Sequence, residues 1–241
     1  MKLTALSALI AAGVTLATFS HAADAKGRLV VYCSATNEMC EVETKAFGEK
    51  YDVKTSFIRN GSGSTLAKVD AEKKNPQADV WYGGTLDPQS QAGEMGLLEA
   101  YKSPNLEQIM EKFRDPAKVK GNLSSAVYVG ILGFGVNTQR LKDKNLPVPK
   151  CWKDLTKPEY KGEIQIADPQ SSGTAYTALA TFVQLWGEDQ AFDYLKQLNG
   201  NISQYTKSGI APARNAVAKP LSALASCTTI RWKKSRARRW S

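Results

Sequence analysis

The sequence predicts an α/β protein of two lobes flanking a cleft. Short apolar runs of strand type alternate with helical stretches through the first half of the chain, which argues for a mostly parallel sheet covered by helices. A second strand–helix set follows a Gly-rich extended run. In both sets, small hydroxyl residues and glycines stand where a strand gives way to a helix. Ligands of such sheets bind outside the carboxyl ends of the strands, where those residues fall.

The chain opens with Lys2, an apolar run from Leu3 to Phe19, and the small residues around Ser20-His21-Ala22. This is the pattern of a secretory signal over 1–22, cut after Ala22, and it predicts an exported, periplasmic protein. No later stretch has the ~20 apolar residues needed to span a bilayer. His21 is the only histidine, so the mature chain would have none, which excludes Ser-His-Asp and Cys-His catalysis and histidine-ligated metal.

Lys and Arg number 32 against 23 Asp and Glu. Six of the bases (Arg231, Lys233, Lys234, Arg236, Arg238 and Arg239) crowd an acid-free end and Lys2 sits in the leader, so the body is nearly balanced. A nucleic-acid partner is therefore not expected of the folded part. Cys33 and Cys40 are near enough in sequence to bridge in an oxidising compartment, and a disulfide pinning the first loop to the helix after it is expected; two buried thiols are the alternative. Cys151 and Cys227 have no evident partner.

Element by element, Arg28-Leu29-Val30-Val31-Tyr32 reads as a buried strand that ends in Cys33-Ser34-Ala35-Thr36-Asn37, with a helix from about Glu38 to Lys50. Tyr51 to Ile58 reads as the second strand. It leads into Asn60-Gly61-Ser62-Gly63-Ser64-Thr65, where bare backbone and a helix start suit an oxyanion. Ala78 to Tyr82 is a third strand, closed by Gly83-Gly84-Thr85 and a polar helix. The run Ala126 to Asn137 looks like a strand passing between lobes. Glu163 to Asp168 is another strand, followed by Pro169-Gln170-Ser171-Ser172-Gly173-Thr174 and a helix from Ala175 to Trp186. The expected domains are lobe 1 over 23–125, lobe 2 over 126–219, and a basic tail over 220–241.

Val31-Tyr32-Cys33-Ser34-Ala35, Asn60-Gly61-Ser62-Gly63-Ser64, Ala78-Asp79-Val80-Trp81-Tyr82-Gly83-Gly84, Gly133-Phe134-Gly135-Val136-Asn137 and Ser171-Ser172-Gly173-Thr174-Ala175-Tyr176 stand in the order and spacing of one family. From about Gly27 to Lys219 the chain resembles the bacterial periplasmic solute-binding proteins of ABC importers, of the type II two-lobed fold. It resembles the receptors often labelled ferric-iron binding, and among them most of all the branch that binds hexose phosphates. The resemblance implies a non-catalytic monomer without a cofactor that closes on a small anionic solute and delivers it to an inner-membrane permease. It also implies that Ser34, Thr36, Asn37, Ser62, Gly63, Ser64, Thr65, Thr85, Ser172, Gly173 and Thr174 line the cleft.

Ferric iron calls for hard anionic donors, typically with an adjacent tyrosine pair, and none occurs here: Tyr32, Tyr82 and Tyr176 are single. A phosphate monoester calls for neutral N–H and O–H donors at helix starts, which the sequence supplies. A hexose phosphate is therefore the expected ligand, with ferric iron the alternative. A competing class is an exported metal-dependent phosphoesterase using Asp79, Asp87 and Asp168, which lack metal-ligand spacing.

From Pro220 onward the chain departs from the family pattern and turns basic. A reading frame shifted near Lys219 can encode an apolar strand followed by acidic residues, so a frameshift and an incomplete second lobe are expected. Weak folding and weak ligand binding would follow from the exposed sheet edge. The coding DNA tests the frameshift directly.

Overall fold

The computed structural model describes residues 26–114, 121–218 and 224–229. The expected signal sequence over 1–22 and the basic run from Arg231 lie outside the described residues. No described helix is long and apolar enough to cross a membrane.

Three parallel strands form the first sheet in the order β2-β1-β3: β1 (Arg28–Cys33), β2 (Lys54–Arg59) and β3 (Val80–Tyr82). β1 is central because its β-branched and aromatic residues run almost without interruption, and Val31, Tyr32 and Cys33 are buried. Helix α1 (Asn37–Tyr51) starts at Thr36, whose hydroxyl accepts from the Met39 amide, and stops at Asp52, which turns left-handed at φ 54°. The second strand therefore begins at Lys54, because Tyr51 still completes the helix. Helices α2 (Ser62–Ala71) and α3 (Leu86–Glu94) follow β2 and β3. Cys33 and Cys40 form the expected disulfide, tying the end of β1 to the first turns of α1.

The second sheet has the order β4-β7-β5-β6, from β4 (Ile131–Val136), β5 (Ile164–Ala167), β6 (Ile202–Thr206) and β7 (Leu224–Thr229). β4 runs antiparallel to β7, while β5 is parallel to both β6 and β7. β7 lies inside the stretch that the sequence assigns to a basic tail. Leu224-Ala225-Ser226-Cys227-Thr228-Thr229 carries no charge and ends in two β-branched residues, so it pairs as a strand; the bases begin only at Arg231.

Helices α4 (Thr138–Asp143), α5 (Gly173–Trp186), α6 (Glu188–Asn199) and α7 (Ala211–Ala218) pack around this sheet. Its core joins Leu155, Tyr160, Ile164, Phe182, Tyr194 and Leu198, with Phe182 stacked on Trp186 at 5.3 Å and edge-on to Trp152 and Tyr194. Glu163 is buried at the head of β5 and held by Arg140 and Lys144.

Candidate functional site

The site grows from the two longest Gly-Ser junctions. At α2, Gly61 is the N-cap and no acidic residue occupies the first turn. At α5, Ser172 is the N-cap, its hydroxyl accepts from the Ala175 amide, and again the first turn holds no acid. Each helix thus turns its first-turn amides and an uncompensated positive dipole end toward the loop that precedes it.

The fold sets these two ends face to face. A Cβ built on Gly173 would lie 2.4 Å from Thr85 Oγ1 and 2.7 Å from Ser62 Oγ. One built on Gly61 would lie 2.1 Å from the Ser171 carbonyl, and one on Gly63 2.0 Å from that of Gln170. The two walls are in contact along this seam.

Behind Ser62 the hydroxyls are wired together. Ser34 Oγ is 3.0 Å from Thr65 Oγ1 and accepts from the Trp81 indole at 2.9 Å. The Thr85 amide donates to Ser62 Oγ at 3.2 Å. Thr85 Oγ1 is buried with no hydrogen-bond partner, a cost of about 1–3 kcal/mol for a polar group that nothing satisfies. Gly84, at φ +95°, passes so close to Ser34 and Ser62 that a Cβ would fall 2.5 Å from Ser62 Oγ.

Tyr128 holds that turn: its hydroxyl accepts from the Gly84 amide at 2.7 Å. Burial raises the Tyr128 phenol above its ordinary value, against the opposing influence of Gly84 and Arg59, so it stays protonated.

Ser34, Ser62, Thr65, Thr85, Ser172 and Gly173 therefore meet in one place. Thr174 joins through Gly209, where a Cβ would sit 2.5 Å from Thr174 Oγ1 and 2.9 Å from Ser172 Oγ. Gly63 lies on the contact line with Gln170. Ser64 is half-buried in the first turn of α2. Thr36 and Asn37 stand apart, at the start of α1: Thr36 spends its hydroxyl on the cap, and Asn37 is exposed. Sequence reasoning missed Tyr128 and Gly209, which carry no junction motif of their own.

Other features do not compete for the role. A cavity of about 200 Å³ lies within the second lobe, lined by Phe134, Trp152, Ile164, Phe182, Leu195 and Ile202 among others. Its lining is almost wholly apolar and offers nothing to orient a charged solute. The acids Asp79 and Asp168 are engaged locally: Asp79 accepts from the Val30 amide at 2.8 Å, and Asp168 from the Gln170 amide at 2.8 Å. Tyr32 donates to Glu72 at the C-terminal end of α2 at 2.6 Å. Among the described residues, no three His, Cys, Asp or Glu side chains gather as a metal site would need.

The model of a family described as bacterial extracellular solute-binding protein matches residues 75–227. The structure superposes with a TM-score of 0.82 on the periplasmic binding protein AfuA from Actinobacillus pleuropneumoniae, solved with exogenous fructose-6-phosphate bound. The two are 74% identical over 84% of this chain and 64% of that chain. An uncharacterized protein of Haemophilus influenzae is 69% identical over 217 residues, 90% of this chain and 62% of its own length. Iron-bound HitA from Pseudomonas aeruginosa superposes with a TM-score of 0.67 at 21% identity, over 84% of this chain and 63% of that one, a likeness of fold alone. The chain thus spans less than two thirds of the length of each.

Proposed function

Because the chain belongs to the bacterial extracellular solute-binding proteins, we propose that it is a periplasmic receptor of an ABC importer that binds a hexose phosphate between its lobes. In this reading it does no chemistry on the ligand. It closes on the solute and delivers it to an inner-membrane permease.

The observation that carries the reading is the confrontation of two acid-free helix starts, α2 and α5, across a seam holding the unpartnered Thr85 hydroxyl. A phosphate monoester has several acceptor oxygens and suits such a set of neutral donors. Ser62, Gly63, Ser64, Gly173 and Thr174 would take the phosphoryl group. The Thr85 hydroxyl would join them, Ser34, Thr65 and Ser172 would position these groups, and Thr36 and Asn37 would bound the cleft at the start of α1. Likeness to AfuA, solved with a sugar phosphate bound, favours the same class of ligand. Ferric iron is disfavoured because the site collects hydroxyls and amides rather than anionic oxygens.

Calorimetric titration with fructose 6-phosphate, glucose 6-phosphate, neutral glucose and ferric citrate tests the proposal. Saturable binding of a sugar phosphate, without turnover and without a response to glucose, is expected. Binding of ferric iron alone, or release of inorganic phosphate, would overturn it.

A further inference from the structure

Hydroxyls and amides also bind an uncharged sugar hydroxyl, though less strongly than a phosphate oxygen, so they do not by themselves exclude a neutral ligand. Arg59 closes β2 and immediately precedes Asn60 and Gly61, the residues that open α2. Its Nε donates at 3.1 Å to the carbonyl of Ala35, which lies between Ser34 and Thr36. The guanidinium is therefore held against the loop that carries the Ser34 hydroxyl. Among the described residues it makes no ion pair and no other hydrogen bond.

Its surroundings make that charge costly. Burial lowers its pKa first, and the neighbouring Arg214 guanidinium lowers it further, with Tyr128 and Glu38 opposing weakly. Glu38, in the first turn of α1, is already engaged: Arg214 of α7 donates to it at 2.6 Å across the two lobes. Arg214 thus takes the carboxylate near both cations where the lobes meet, and Arg59 is left without one. A half-buried guanidinium without its own counter-ion is relieved when an anion arrives, and its planar fork suits a phosphoryl group in two-pronged fashion.

We infer that Arg59 is the residue by which the cleft selects a dianionic phosphoester over an uncharged sugar, with Arg214 as a second positive charge brought up by the opposite lobe. The inference rests on the receptor reading above. It adds a charge-selecting residue one position beyond Ile58, where the strand read from the sequence ends.

The test compares the whole chain with Arg59→Gln and Arg59→Lys, each titrated with glucose 6-phosphate at low and high salt and checked by thermal unfolding. Arg59→Gln should weaken binding by about tenfold or more, the scale of a hydrogen bond to a charged group. It should also flatten the salt dependence. Arg59→Lys keeps the charge and should bind more tightly than Arg59→Gln at equal stability. If the wild-type chain binds and Arg59→Gln binds equally well, or if the lysine variant is as weak as the glutamine variant, the inference falls and the receptor reading stands. If the wild-type chain binds no phosphoester at all, both fall.

Discussion

At the scale of single residues, Thr85 and Gly61 separate binding from folding. Thr85→Val removes a buried hydroxyl that has no partner, so the unfolding midpoint should hold or rise. Sugar-phosphate affinity should fall about tenfold if that oxygen meets the ligand. A variant that loses stability but not affinity would make Thr85 merely structural. Gly61 sits at φ −70°, an ordinary value, so only the approach of the Ser171 carbonyl forbids a side chain there. Gly61→Ala should cost closure about 1–3 kcal/mol, the usual penalty of overpacking, and weaken binding roughly ten- to hundredfold. Its effect on unfolding should be small, since the opened molecule has room for the methyl group. These residues were legible because a Gly-Ser run at a strand–helix junction is a local signal. Tyr128 was not, since it reaches Gly84 from 44 residues away and nothing near it in the chain marks the contact.

At the scale of elements, the start of α1 depends on the Cys33–Cys40 bridge, which closes a short loop between residues with a Cα–Cα separation of 6.0 Å. A double Cys33→Ala, Cys40→Ala variant should lose about 2–3 kcal/mol by the chain-entropy account, read by denaturant unfolding. An unchanged midpoint would mean that Thr36 capping alone suffices. The head of β5 should be acid-sensitive. Burial pushes the Glu163 carboxyl up, but hydrogen bonds from Arg140 and Lys144 outweigh it and hold the group below its ordinary value. A depressed folded pKa means the stabilisation is complete above the unfolded value and is lost as pH falls through the folded one. Stability should therefore decline in the acid range below the ordinary glutamate pKa. Glu163→Gln should lower stability at neutral pH and flatten that decline; a decline of equal steepness would assign it to other carboxylates. Strands β1, β3 and β5 and helices α1 and α5 were legible from apolar runs and junction residues. The sequence reading did not place α6 and β6. Gly187 ends α5 only one residue before Glu188 opens α6, and β6 exposes Ser203, Gln204 and Tyr205, so its alternation is weak.

At the scale of the whole molecule, the two-lobed α/β fold could be read from strand–helix alternation repeated on either side of a Gly-rich run. The tail was harder, because composition over 220–241 is dominated by bases while the strand Leu224–Thr229 within it is set by tertiary pairing with β4 and β5. The lobes meet through backbone as well as side chains, glycine against carbonyl, so closure depends on shape as much as on charge. The central claim is that the starts of α2 and α5 jointly take an anion. Amide resonances of the isotope-labelled chain, followed during titration with glucose 6-phosphate, test it most directly. The account predicts that the Ser62, Gly63, Ser64, Gly173 and Thr174 amides shift together and saturate at one ligand concentration. Saturable binding that leaves those five amides unmoved, while residues such as Leu179 and Ile202 around the apolar cavity respond, would contradict it.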